Sequence, residues 1–132
     1  MNIGRVYFAI FGEMLDAEVV TRELRLTPTR ILQKGRPIPK QTWWELSTQE
    51  IASELVDVYS MSEEVVEKLV GMEGKIREIA QRYDAETVLE VVLTFSLNEE
   101  VSTPAIGFSK KVVRFMSEVG GFIDVDTYRG ES

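Results

Sequence analysis

The residues best suited to binding an anion lie in one basic segment, residues 25–40, which contains five Lys or Arg residues and no Asp or Glu. Within it, the guanidinium groups of Arg30 and Arg36 can form paired hydrogen bonds with a phosphate or a carboxylate. Lys34 adds a further cation, and backbone amides near Gly35 can donate to the same anion. The segment therefore predicts a small-anion site. The alternative is that these cations neutralise acidic residues of the same protein, because the glycine spacing of a P-loop is absent.

A second set of polar residues follows at every second position near the C-terminus: Asp124, Asp126 and Tyr128. In a β-strand, residues two apart project from the same face at a separation of about 7 Å. Two carboxylates placed in this way suit a hard cation such as Mg²⁺, or an acid–base pair. The same pattern is also typical of the solvated face of an edge strand, where charge prevents aggregation. Both interpretations stay open.

Two residue types that carry much of enzyme chemistry, cysteine and histidine, are absent from the chain. Cysteine nucleophiles, Ser-His-Asp triads, Cys/His zinc sites and thiolate-held iron–sulfur centres all require one or the other. Acid–base catalysis would fall to carboxylates, lysine or tyrosine. The composition therefore favours a non-catalytic protein with no assigned catalytic residue, no cofactor and no resident metal.

Two adjacent tryptophans, Trp43 and Trp44, lie in a strand-like run from Thr42 to Ser47. Strand side chains alternate between two faces, so one indole should point into the core and the other away from it. We assign Trp44 to the core and Trp43 to a surface or interface contact. Self-association into a homodimer through Trp43 is one alternative, and an aromatic groove beside the nearby prolines is another.

Seven secondary-structure elements are predicted from hydrophobic periodicity and capping residues. The four strands are residues 6–11, 42–47, 87–95 and 122–128. The three helices are one from 17 to about 24 capped by Asp16, one over 63–82 with a kink near its glycines, and one that begins after Ser109 and ends at Gly120. Ser60 and Glu63 fit a capping box. Residues 28–40 are predicted to be a loop or an irregular edge, and residues 50–59 give no preference.

This order of elements predicts an α+β fold in a chain of 132 residues, a length that suits one domain. We expect a two-layer sandwich in which about three helices cover one face of a four-stranded mixed or antiparallel sheet. A ferredoxin-like arrangement is the first candidate. The order of the strands within the sheet does not follow from the sequence.

Motifs spread along the chain resemble those of a known family. They are the segment from Leu24 to Arg30, the Lys34-Gly35 loop, the strand from Trp44 to Ser47, the helix start at Gly107 to Ser109 and the closing strand from Gly121 to Tyr128. With these motifs the chain resembles the bacterial domain of unknown function 4279 from about Val6 to Tyr128. The resemblance implies a bacterial protein with a single domain. It carries over no activity, substrate or catalytic residue.

The distribution of charge points to the class of partner. The net charge is −7, and residues 45–100 contain 14 acidic and 4 basic residues. Acidic surfaces steer association with basic partners. We therefore predict a non-catalytic module, comparable to small immunity-like proteins, whose acidic helical surface binds a basic protein. The alternative is a small-anion or phosphate-ligand-binding domain, in which Asp124 and Asp126 would hold a metal or act as a base.

Other partners and locations are disfavoured by the composition. A sequence pI of about 4.7 disfavours nucleic acid, whose affinity depends on neutralising phosphates. The apolar run after Arg5 is too short for a signal peptide, and no stretch approaches the length of a membrane-spanning helix. We therefore expect a cytoplasmic protein with no membrane partner.

Overall fold

The computed structural model describes residues 1–35 and 38–130, and this part of the chain forms six strands and four helices. The strands are β1 (Asn2–Gly12), β2 (Arg30–Leu32), β3 (Thr42–Ser47), β4 (Ile51–Ser53), β5 (Glu86–Phe95) and β6 (Phe122–Arg129). The helices are α1 (Ala17–Leu24), α2 (Val58–Glu67), α3 (Glu73–Arg82) and α4 (Lys110–Glu118). The predicted α+β class is confirmed.

The strands form one mixed sheet in the order β2-β3-β1-β5-β6. β1 runs antiparallel to β3 and to β5, and β4 pairs with the first residues of β1, beyond the end of β3. β5 and β6 run parallel, with α4 in the connection between them. Parallel neighbours require such a crossover, because a hairpin would reverse the chain. The parallel pair at one edge makes the sheet mixed.

The four helices pack on one face of the sheet and bury the hydrophobic core between the two layers. Alternate residues of the three central strands, β3, β1 and β5, point towards the helices: Val6, Phe8, Ile10, Trp44, Leu46, Leu89, Val91 and Leu93. They contact apolar residues of all four helices, among them Val20, Val65, Ile76 and Phe115. The assignment of Trp44 to the core is confirmed, since its side chain is fully buried.

The other face of the sheet has no helix packed on it within the described residues. We call it the open sheet face. Strand alternation and register place these side chains on it: Arg5, Tyr7 and Phe11 of β1, Arg30 of β2, Trp43 and Glu45 of β3, Glu86, Glu90 and Val92 of β5, and Phe122, Asp124, Asp126 and Tyr128 of β6. A small apolar cluster around Tyr7, Ala9 and Val88 lies at its centre.

Two helix starts lie where their capping residues predict them. The Asp16 carboxylate accepts hydrogen bonds from the backbone amides of Glu18 and Val19 at 3.1 and 3.4 Å, and α1 begins at the next residue. The Ser109 hydroxyl oxygen accepts from the amide of Val112, and α4 follows it. Each cap satisfies amides that the first helical turn leaves unpaired.

The predicted helix over 63–82 is wrong, because the structure contains two helices in this region. Gly71 has a φ of +95°, in the left-handed region that glycine adopts without strain, and it lies in the turn that separates α2 from α3. The capping box at Ser60 is also wrong. α2 begins earlier, after Asp57, whose carboxylate accepts a hydrogen bond from the amide of Tyr59 at 3.0 Å.

The predicted counts of four strands and about three helices are likewise too low. β2 and β4 have three residues each, too few to show a periodic pattern, and their positions depend on pairing with β3 and β1. The ferredoxin-like arrangement does not hold, because the observed order of elements, βαβββααβαβ, differs from the βαββαβ order of that fold.

The helices of the sandwich are short, and α2 and α3 have ten residues each. No helix in residues 1–35 and 38–130 is long and apolar enough to cross a membrane.

Candidate functional site

Three carboxylates come together on the open sheet face at the β5–β6 edge. In the parallel register Glu90 lies opposite Asp124, and Asp126 lies opposite Val92, two residues further along β5. Neighbouring strands are about 4.8 Å apart, so side chains in this register can touch. One oxygen of each carboxylate lies within 4.8 Å of the others. We call Glu90, Asp124 and Asp126 the acidic triad.

Glu90 is the buried member of the acidic triad. Glu90 is 9% exposed, whereas Asp124 is exposed and Asp126 is half-buried. Its Oε2 atom is inaccessible to solvent and has no hydrogen-bond partner among the described residues. Buried polar atoms are normally paired, because an unpaired one loses its hydration without compensation. The unpaired oxygen therefore marks Glu90 as the unusual residue of this face.

The protonation of Glu90 follows from this environment. Burial, together with the neighbouring carboxylates of Asp124 and Asp126, raises the pKa of Glu90 to about 8. Burial raises the pKa because it removes water from the ionised carboxylate. The aspartates raise it because their negative charges repel the ionised form of Glu90 and so favour the protonated form. Without a bound cation, the Glu90 carboxyl is therefore protonated at neutral pH.

Tyr7 lies beside Glu90 across the β1–β5 pair. Burial, then the charges of Glu90 and Glu45, raises the pKa of the Tyr7 hydroxyl to about 12, against the opposing effect of Arg5. The Arg5 guanidinium carbon lies 4.6 Å from the centroid of the Tyr7 ring. The phenol therefore stays protonated near neutral pH, which makes it a poor general base.

A second buried carboxylate, Glu45, lies on the same face and differs in being fully paired. Its residue is 1% exposed. Glu45 Oε2 is 2.8 Å from Arg5 Nη1, and Oε1 is 3.3 Å from Arg30 Nη2. The Trp43 indole N–H also donates to Oε1 at 3.0 Å. The pairing explains how Glu45 can be buried, because buried carboxylates require charge-assisted partners.

A comparison with protein-family models gives one match. The model described as Domain of unknown function (DUF4279) matches residues 2–130. The chain belongs to the DUF4279 family. The matched residues run from the start of β1 to beyond the end of β6, so the open sheet face lies wholly within the DUF4279 domain. Comparisons with curated proteins and with solved structures give no match.

The basic segment of this DUF4279 chain lies at the other end of the sheet from the acidic triad. β2 and β6 are the two edges of the sheet, with three strands between them, a distance of about 19 Å at the usual spacing. Those residues of the two sequence-predicted sites that the structure describes therefore do not share a cleft.

The structure shows where the residues of the predicted anion site lie. Arg30 is paired with Glu45. The backbone amide of Lys34 donates to the Thr42 hydroxyl at 3.1 Å, and that of Gly35 donates to the Pro39 carbonyl at 2.9 Å. Arg36, the fourth predicted anion-binding residue, lies outside the described residues.

The other sequence-predicted residues of the DUF4279 domain lie on the open sheet face. Asp124 and Asp126 join Glu90 in the acidic triad, and Tyr128 is exposed at the far end of β6. Trp43 is half-buried, and its ring stacks on that of Phe11 with 4.9 Å between centroids. Glu90 is missing from the sequence-predicted set. The signal that could have found it is its position as the one acidic residue within the apolar strand 87–95.

The ion pairs around Glu45 lead to a stability prediction. The Arg5 side chain is 30% exposed, and its replacement with methionine removes the shorter of the two ion pairs of the buried Glu45 carboxylate. Glu45 then keeps the ion pair with Arg30, which is longer and more exposed. We expect a loss of about 2–3 kcal/mol in the free energy of unfolding, measured by urea denaturation. Arg30→Met is the matched control. Because the Arg30 side chain is 51% exposed, its loss should cost less than about 1 kcal/mol. Equal losses in the two variants would contradict this account.

Proposed function

We propose that this DUF4279 protein is a non-catalytic binding module for a basic protein, and that the partner binds to the open sheet face. The single observation that carries the proposal is unmatched acidic charge. Glu86, Asp124 and Asp126 lie on this face, and none of them forms an ion pair with another described residue. Unmatched charge of one sign on a surface favours a partner of the opposite sign.

The helical layer, which the sequence favours as the binding surface, carries charges of both signs, and several of its acidic residues are paired with its basic ones. Glu23 of α1 is 3.6 Å from Lys75 and 2.6 Å from Arg82, both on α3. Glu78 pairs with the same two cations. Lys111 of α4 pairs with Glu67 of α2. These pairs, some within α3 and some between helices, satisfy acidic residues within the protein, so the open sheet face is the better surface for an external cation.

Aromatic side chains beside the acidic residues support the same surface. Phe122 and Tyr128 of β6 are 46% and 56% exposed. Exposed aromatic residues next to complementary charge are typical of protein interfaces. The separation of β2 from β6 also supports a protein partner over a small anion, because the described residues of the basic segment and the two aspartates do not enclose a common pocket.

The proposal is tested by affinity capture on purified, immobilised protein in a chelating buffer, with lysate of the source organism at low and high salt. The test variant is Asp124→Asn with Asp126→Asn. The matched control is Glu63→Gln with Glu64→Gln, which removes two charges from α2 instead. We expect wild type and the α2 control to retain the same basic protein. The open-face variant should bind it roughly tenfold or more weakly, equivalent to about 1.4 kcal/mol.

The effect of salt distinguishes charge-dependent binding of the partner from binding through apolar contacts. Raising the salt from about 0.05 M to about 0.5 M should release the partner, because it screens exposed charges. Retention of the partner at high salt would show that the open-face charges do not bind it. Equal retention by the two double variants would show the same.

A further inference from the structure

The spacing of the acidic triad suits a single bound cation. Oxygen ligands lie 2.0–2.1 Å from Mg²⁺ and 2.3–2.6 Å from Ca²⁺. Two oxygens on one such ion are therefore separated by about 3–5 Å, depending on the angle between them. The three candidate oxygens of Glu90, Asp124 and Asp126 lie within 4.8 Å of one another. One ion can contact all three side chains without a change in the strand register.

The unpaired Oε2 of Glu90 is an independent observation that points to a ligand. This atom is buried and has no hydrogen-bond partner among the described residues. Glu45 provides the comparison within the same face, because this other buried carboxylate has two arginines and an indole N–H as partners. Glu90 is also buried but has no such partners. A cation would supply the missing compensation.

The surrounding residues define the class of cation. The chain contains no Cys and no His, so carboxylate oxygen and water are the ligands available beside the triad. Oxygen-only sites select hard cations such as Mg²⁺, Ca²⁺ and Mn²⁺. Asp124 is exposed, which leaves room for water to complete the coordination. Arg5, across β5 from Asp126 in the register, hydrogen bonds to Glu45 and Ser47 instead.

We propose that Glu90, Asp124 and Asp126 form a binding site for one hard divalent cation on the open sheet face. Glu90 would be the buried ligand, and the two aspartates would close the site from the solvent side. This inference does not rest on the proposed partner. It concerns the purified protein alone, so its failure and the failure of partner binding are separate results.

The test is a calorimetric titration of chelator-treated protein with Mn²⁺, Ca²⁺ and Mg²⁺ at constant ionic strength. We expect saturable one-to-one binding of at least one ion, with a Kd of about 10⁻⁴–10⁻³ M, the range of the weaker oxygen-only sites. The same ion should raise the Tm of the protein, because it binds the folded state. An equal ionic strength of K⁺ should not.

Variants identify the ligands. Glu90→Gln keeps the shape of the side chain and removes the carboxylate that would bind the cation, so binding should weaken roughly tenfold or more. Glu86→Gln is the matched control, because Glu86 is exposed on the same strand and the same face. Its Kd should stay within about twofold of wild type. Asp124→Asn changes an exposed ligand and provides a second test if Glu90→Gln folds poorly.

Two outcomes would contradict the proposal of a cation site. One is the lack of saturable binding by all three ions up to about 10 mM, well above the expected Kd. The other is equal weakening by Glu86→Gln and Glu90→Gln, which would indicate general attraction of cations to an acidic surface.

Discussion

Glu90→Gln is expected to remove much of the loss of stability that the protein undergoes between about pH 4.5 and about pH 8. The unfolded chain releases the Glu90 proton near the ordinary glutamate pKa of 4.5, whereas the folded protein holds it up to a pKa of about 8. Between these values the folded state binds more protons than the unfolded state. The free energy of unfolding therefore falls as the pH rises through this range, and the loss is complete above the folded pKa.

The size of the effect follows from the shift of the Glu90 pKa, because each pKa unit corresponds to about 1.4 kcal/mol. We expect Glu90→Gln to be more stable than wild type at pH 9 by on the order of 5 kcal/mol, and close to wild type at pH 4. Glutamine has no proton to release, so the penalty of an ionised buried carboxylate is absent from the variant.

The measurement is urea denaturation at several pH values in a chelating buffer, so that no cation compensates the charge. The carboxyls of Glu23 and Glu78 also titrate, with pKa values that their hydrogen bonds to Arg82 lower. They are common to both proteins and cancel in the difference. The matched control, Glu86→Gln, should follow the wild-type curve. Parallel curves for wild type and Glu90→Gln would show that Glu90 ionises normally.

Trp44→Ala is expected to lower the free energy of unfolding by about 3–5 kcal/mol, as is typical for a large aromatic residue in a core. The Trp44 side chain is fully buried between the sheet and the helices. Its indole N–H donates to the Thr21 hydroxyl of α1 at 3.0 Å. The substitution therefore leaves a cavity and also removes a hydrogen bond that joins α1 to the sheet.

Two further variants divide this effect, again by urea denaturation. Trp44→Phe retains most of the buried ring and loses the hydrogen bond, so it should cost about 1–2 kcal/mol. Trp43→Ala changes the half-buried neighbour on the open sheet face and should cost about 2 kcal/mol. A loss for Trp44→Ala no larger than that for Trp43→Ala would contradict the assignment of the two indoles to opposite faces.

The features that the sequence predicts well are local ones. Trp44 follows from strand alternation, and the starts of α1 and α4 follow from Asp16 and Ser109, because a cap acts on amides two or three residues away. The family resemblance also depends on short local motifs, and the family match confirms it. The α+β class follows from the order of these elements.

The features that the sequence misses depend on contacts between distant residues. The three-residue strands β2 and β4 exist because β3 and β1 offer them partners. Glu90 meets Asp124 only through the parallel register of β5 and β6, which no local pattern encodes. Likewise, Arg30 has Glu45 as its partner because β2 aligns these two residues. The acidic triad therefore does not follow from the strands taken one at a time.

The position of β6 gives the acidic triad a mechanical consequence. β6 is an edge strand that joins the sheet through β5, and like-charged side chains face each other across that junction. When Glu90 ionises, repulsion acts to detach the strand. A ligand that neutralises the three carboxylates therefore also stabilises the pairing of β6 with β5. Ligand binding at the acidic triad and local unfolding of β6 are then coupled, because the ligand binds the form in which β6 is paired.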